Sequence, residues 1–165
     1  MSRVTRRVYF LRHGKALSRA EWDADDDLRP LTEDGERVVR AEARTLAGWG
    51  LDVGVIVTSP LARARRTAQI VAEELDLGDH VLEDARLAHG FDLRRLAKIV
   101  AGQPTDAAVM VVGHEPEFSS TISAAIGGGR VEMKKGALAR VDFAGPELKN
   151  GVLAWLATPV QLAGE

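Results

Sequence analysis

The stretch Val8-Tyr9-Phe10-Leu11-Arg12-His13-Gly14 decides how the rest of the chain is read. Four apolar residues rich in strand formers stop abruptly at a cation, an imidazole and a glycine. A run this short and this apolar reads as a buried strand, with Arg12 and His13 at its carboxyl end. Two other stretches repeat the arrangement. Val53-Gly54-Val55-Ile56-Val57 runs into Thr58-Ser59-Pro60, with Arg63 in the helical turn that follows, and Ala108-Val109-Met110-Val111-Val112 runs into Gly113-His114. In open α/β sheets ligands bind at the carboxyl ends of the strands. If the three strands are parallel, two arginines and two histidines converge on one cleft.

Helical signals fill the intervals between these strands, which points to an α/β layered sheet. The stretch from Lys15 to Pro30, with its acidic run Asp23 to Asp27, is too irregular for an element and reads as a surface loop. Thr32 caps a helix with Glu33 and Asp34 in its first turn, where the helix dipole favours negative charge. Val39, Ala43, Leu46 and Ala47 give that helix one buried face, and Gly48 and Gly50 mark its end. Ser59 is read as the cap of the next helix with Pro60 at its first position, and Leu61, Ala64, Ala68, Val71 and Leu75 as its apolar stripe. Val81-Leu82 is a short third strand. Helices are expected over Phe91 to Val100 and Pro116 to Ile126. Leu138 to Phe143 and Val152 to Ala157 read as two antiparallel strands at one side of the sheet, with Asn150-Gly151 turning between them.

The 165 residues suit a single domain, 1–165, and 45% hydrophobic content is that of a globular chain. With 22 Lys and Arg against 24 Asp and Glu the formal balance is −2, which argues against a general nucleic-acid or membrane-surface binder. There is no cysteine, so disulfides, thiolate metal sites and cysteine nucleophiles are excluded. Val8 to Leu11 is too short for a signal-peptide core and no stretch approaches a membrane span. A cytoplasmic location is the default expectation.

The residues expected at the cleft suit phosphoryl chemistry. Arg12 and Arg63 are permanent cations whose planar donor forks match phosphate oxygens, and a helix amino terminus near Arg63 also favours an anion. An imidazole nitrogen is a competent nucleophile toward phosphorus, which makes His13 the candidate. Gly14 lets the backbone pass close to a bound ligand. His114 can donate a hydrogen bond to the phosphoryl group as charge builds on it.

Three segments of the chain, Leu11-Arg12-His13-Gly14, Thr58-Ser59-Pro60-Leu61-Ala62-Arg63-Ala64-Arg65-Arg66-Thr67-Ala68 and Val112-Gly113-His114-Glu115-Pro116, resemble the signature segments of the histidine phosphatase superfamily, which includes the phosphoglycerate mutases. Arg29-Pro30-Leu31-Thr32 and Lys134-Lys135-Gly136-Ala137-Leu138-Ala139 resemble its small phosphohistidine phosphatase branch, SixA. The resemblance implies a three-layer α/β/α sandwich with a mostly parallel sheet and no metal or other cofactor. It implies His13 as the phosphorylated nucleophile, with Arg12, Arg63 and His114 completing the phosphate pocket. A chain this short has little room for a capping insertion. The open site suits a bulky substrate such as phosphohistidine on a phosphocarrier-like protein. A small phosphorylated metabolite is the alternative substrate, and a phosphate- or phosphoprotein-binding module without turnover the alternative of another class. Many members carry an acidic residue after the second helix that protonates the leaving group. Glu83, Asp84, His89 and Asp92 occupy that region without matching the motif. A phosphoramidate, whose leaving group needs less help than an alkoxide, is therefore favoured as substrate.

Other features have plainer readings. Ser59 is a helix cap rather than a nucleophile. His80 and His89 are surface or loop residues, with His89 the candidate for the site's rim. Arg65 and Arg66 belong to a solvated face. The run Asp23 to Asp27 lacks the glycine and closing glutamate of a calcium loop and reads as solvated. Arg29 and Lys134 either steer an anion or serve packing. Gly127-Gly128-Gly129 has no strand before it and no Lys-Ser/Thr after it, so it is not a phosphate loop.

Overall fold

In the computed structural model, which describes residues 6–164, the chain is organised about β1 (Arg6–Arg12). Its side chains alternate between two cores, Val8 and Phe10 on one face and Tyr9 and Leu11 on the other. The elements that follow are α1 (Glu33–Gly48), β2 (Val55–Thr58), α2 (Ala62–Glu74), β3 (Val81–Glu83), α3 (Leu93–Ala101), β4 (Val109–Gly113), α4 (Glu117–Ala125), β5 (Leu138–Phe143), β6 (Val152–Ala157) and α5 (Pro159–Ala163). Among the described residues the strands form one sheet in the order β3-β2-β4-β1-β5-β6. The β1–β4, β2–β4 and β2–β3 pairs are parallel, and β1–β5 and β5–β6 are antiparallel.

Helices α1, α2 and α5 cover the face of Tyr9 and Leu11 through Val39, Leu46, Ala64, Val71 and Leu162. Helices α3 and α4 cover the face of Val8 and Phe10 through Leu96, Ile99, Phe118 and Ile122. The fold is therefore the three-layer α/β/α sandwich expected from the sequence, with a mostly parallel sheet. Among the described residues no helix is long and apolar enough to cross a membrane.

Several local expectations need correction. In α1, Ala47 is exposed, while Gly35 and Glu42 join Val39, Ala43 and Leu46 in the buried face. At about 100° per residue Ala47 falls roughly a quarter turn off the line through Val39 and Leu46, and Glu42 falls closer to it. Helix α2 starts at Ala62, with Leu61 at the cap position and no side-chain cap. Ser59 is still in the ladder, its N–H donating to the Val112 carbonyl at 3.0 Å. Its hydroxyl takes the Leu61 N–H at 3.2 Å, so it closes a turn before the helix rather than capping it. Helix α3 starts at Leu93, because the Asp92 carboxylate caps it by accepting from the Arg95 N–H at 2.9 Å. Phe91 lies outside that helix and packs in the same core as Leu96, the geometry of a hydrophobic staple. The β5–β6 connection is the whole segment 144–151, anchored by buried Leu148 and by the Gly151 N–H on the Ala125 carbonyl. Asn150 does adopt a positive φ of 51° there. Helix α5, which the sequence reading missed, has a capping box between Thr158 and Gln161.

Candidate active site

The parallel ladder sets the site's geometry. Arg12 pairs with Gly113 and Thr58 with Val112, so the residues leaving β1, β2 and β4 emerge at one level. The His13 N–H still donates to the Gly113 carbonyl at 3.1 Å. The His13 and His114 rings consequently lie 5.3 Å apart between centroids, inclined at 55°.

His13 is 7% exposed. Its Nδ1 lies 2.7 Å from the Gly14 carbonyl oxygen, which can only accept, so Nδ1 carries the proton and Nε2 is left with its lone pair. Burial pushes its pKa down to about 3, and the nearby His114, Arg63 and Arg12 act in the same direction against the Gly14 bond. The imidazole is therefore neutral at physiological pH, the state a nucleophile requires. His114, also 7% exposed, is pushed down to about 4, first by burial and then by Arg63, with His89 and Arg12 adding and Asp26 opposing. Its Nε2 lies 2.8 Å from Ser59 Oγ.

The arginines are held by their terminal nitrogens. Arg12 Nη1 donates to the Met133 carbonyl at 2.8 Å. Arg63 Nη1 donates to the Asp26 carbonyl at 2.9 Å and Nη2 to the Asp26 carboxylate at 3.3 Å. Burial is the leading cause that draws both guanidinium pKa values down, yet both stay cationic at neutral pH. Arg12 Nε, Arg63 Nε and His114 Nδ1 are buried without a partner among the described residues. Unpaired buried polar atoms are costly, and the two arginine Nε–H donors suit a ligand rich in acceptor oxygens.

Gly14 has a packing role that was not read in the sequence. A Cβ there would lie 2.5 Å from Val39 Cγ2, so the missing side chain makes room for α1. Its N–H donates to Thr67 Oγ1, which in turn donates to the Arg63 carbonyl, linking the two signature segments.

None of the four candidate acids makes a hydrogen bond to His13 or His114 among the described residues, and each has a partner of its own. Asp84 caps the turn Ala85–Leu87 and pairs with Arg86, whose hydrogen bonds hold its pKa down. Glu83 faces Arg65 at 3.5 Å, and Asp92 caps α3. His89 is exposed and lies 3.8 Å from Asp27.

Three features of the site escaped the sequence reading. Ser59 bonds His114 instead of capping α2. Asp26, assigned to a solvated run, pairs with Arg63 and also accepts from Arg29 Nε at 2.9 Å. Arg29, which bonds the Leu17 carbonyl as well, is thus a packing residue. Beside Arg12 lies a cleft of about 640 Å³, lined also by Glu115, Arg130, Glu132 and Lys134. In the sequence Glu115 reads only as part of the third signature segment, and Arg130 lies in the long segment 126–137, which has no periodicity to single it out. Arg66 pairs with Glu36 on the surface, as expected. Among the described residues no group of three or more His, Asp or Glu is placed to hold a metal ion.

Comparison with known proteins agrees with this geometry. The profile of the histidine phosphatase superfamily (branch 1) matches residues 8–89. An uncharacterized protein of Picosynechococcus is 38% identical over 135 residues, 78% of this chain and 79% of that protein. Phosphohistidine phosphatase SixA of Escherichia coli is 27% identical over 158 residues, covering 94% of this chain and 95% of that one. The solved structure of the protein histidine phosphatase SixA complexed with tungstate superposes with a TM-score of 0.83 at 25% identity, over 94% of this chain and 99% of that one. With the matched profile beginning on β1 and running through the Arg63 segment, and with the likeness to SixA extending over nearly the whole chain, this protein belongs to the histidine phosphatase superfamily and to its small SixA-type branch.

Proposed function

We propose that this protein is a metal-independent phosphatase that works through a phosphohistidine on His13, and that its substrate is phosphohistidine on a protein. The observation that carries the reading is the His13 Nδ1–H bond to Gly14, which leaves a bare, neutral Nε2 beside three unpaired nitrogens of Arg12, Arg63 and His114. In the first step Nε2 attacks phosphorus, an N–P bond forms and the bond to the leaving group breaks, the leaving group taking a proton from water. In the second, water attacks the phosphorus and releases orthophosphate, and Nε2 is restored. The arginines and His114 hold the phosphoryl oxygens throughout, which is most of what phosphoryl transfer asks of a protein.

Two observations favour a phosphoramidate. The carboxylates of Glu83, Asp84 and Asp92 are engaged with Arg65, Arg86 and the amino terminus of α3, so none of them is a free acid for an alkoxide leaving group. A sequence likeness over nearly the full length is to a phosphohistidine phosphatase. The cleft beside Arg12, roomy enough for a small organic group, favours a second reading as a small-molecule phosphomonoesterase. Hydrolysis rates for a phosphohistidine carrier protein and a panel of small phosphate esters, measured with a chelator present, separate the two. Faster turnover of the carrier is the expected result. A faster ester replaces the protein substrate with a metabolite, and loss of all activity on chelation contradicts the mechanism.

A further inference from the structure

Ser59 sits where only one placement of its proton satisfies its surroundings. Its Oγ is 3.2 Å from the Leu61 backbone nitrogen, which can only donate, and 2.8 Å from His114 Nε2. Ser59 is fully buried. If its O–H donates to Nε2, that nitrogen is the bare one and the ring proton lies on Nδ1. If instead Nε2–H donates to Ser59, the hydroxyl oxygen accepts twice and its own proton is left buried with no acceptor among the described residues, an arrangement that proteins avoid. The second arrangement also leaves a lone pair on the buried, unpartnered Nδ1.

We infer that Ser59 is a positioning residue that holds His114 as its Nδ1–H tautomer, so that Nδ1–H donates to the phosphoryl oxygens. Its purpose rests on the phosphatase reading above, whereas the tautomer itself does not. His13 and His114 then carry their protons on the same ring nitrogen and use opposite sides of the ring. His13 ties its proton to Gly14 and offers Nε2 as nucleophile. His114 ties Nε2 to Ser59 and offers its proton. A serine read in the sequence as a helix cap thus decides which histidine is donor.

Long-range proton–nitrogen spectra of the whole protein labelled with ¹⁵N-histidine read the tautomers directly at neutral pH, with His114 assigned by loss of its signals in His114→Gln. The expected result is a protonated Nδ1 and a bare Nε2 on His114 in the wild-type protein. A protonated Nε2 overturns the inference whether or not any substrate is turned over. Inorganic phosphate should shift the His114 Nδ1–H resonance, and no shift at saturation contradicts the donor role. In Ser59→Ala the signals should move toward a mixture of tautomers. Its kcat should fall on the order of 10-fold, less than loss of an oxyanion donor outright, with KM changing less. Ser59→Thr, which keeps the hydroxyl, should restore the Nδ1–H spectrum. A Ser59→Ala protein with unchanged spectrum and kcat also overturns the inference, and if that variant fails to fold the wild-type spectrum decides. Absence of phosphatase activity in the wild-type protein would count against the proposed function alone.

Discussion

Both terminal nitrogens of Arg63, a side chain that a phosphoryl group would engage, already donate to Asp26. The carboxylate is half of this contact and the backbone carbonyl the other half, so the loop carrying Asp26 both orients the guanidinium and presents a negative charge to it. Asp26→Asn keeps the carbonyl bond and removes the charge. Orthophosphate inhibition should then tighten by up to about 5-fold, the range that a partly exposed ion pair commands. Inhibition constants measured at one ionic strength test this, and weaker inhibition would mean that the charge serves only to aim Arg63. The pairing was invisible in the sequence because nothing local ties a residue in an acidic run to an arginine far along the chain. The meeting of His13 and His114 was legible, because each follows a buried apolar strand directly. The partner of each ring was not, since it depends on which side of the imidazole the neighbouring backbone and hydroxyl happen to lie.

At the scale of elements, the site stands on β1, β2 and β4, and α1 presses against it from one face. Gly14 is the point of closest approach, with Val39 filling the space a side chain would take. Gly14→Ala should destabilise the protein by about 1–3 kcal/mol through overpacking. Val39→Ala in the same chain should relieve part of that cost, giving less than additive losses in a double-mutant cycle read by urea denaturation. Additive losses would show that the glycine is needed for something other than α1. The strands and most helices were legible because short apolar runs and capping residues such as Thr32 are local signals. The start of α2 was misread because Ser59 still belongs to the β ladder, and α5 was missed because a helix from Pro159 to Ala163 shows too little periodicity to detect. The segment 144–151 was read as a two-residue turn because buried Leu148, which holds it down, gives no turn signature.

For the whole molecule, buried ionisable groups set opposing pH trends. His13 and His114 have folded pKa values well below the ordinary 6.5, so the unfolded chain binds their protons first. Their contribution to stability is present above pH 6.5 and is lost as pH falls toward about 3 to 4. Glu42, buried in α1 against Gly136, is raised by burial from 4.5 to about 8. Its contribution is present below pH 4.5 and is lost as pH rises through about 8. Glu42→Gln should therefore gain stability relative to the wild-type protein between those limits, by on the order of a few kcal/mol, and hold a constant difference at higher pH. Denaturation at several pH values checks this, and a pH-independent difference would show that Glu42 is ionised in the fold. The sandwich and the order of its parallel strands bring the three signature segments to one end of the sheet, where the proposed function has His13 meet a phosphoryl group. Trapping that intermediate tests the account most directly. The protein is mixed with a phosphorylated substrate, quenched in alkali, where phosphohistidine survives, and mapped by mass spectrometry. The account predicts a phosphoryl group on His13 that disappears as orthophosphate is released, together with no labelling and no turnover in a folded His13→Ala variant. Full turnover by that variant, or a phosphoryl group carried on another residue, would contradict it.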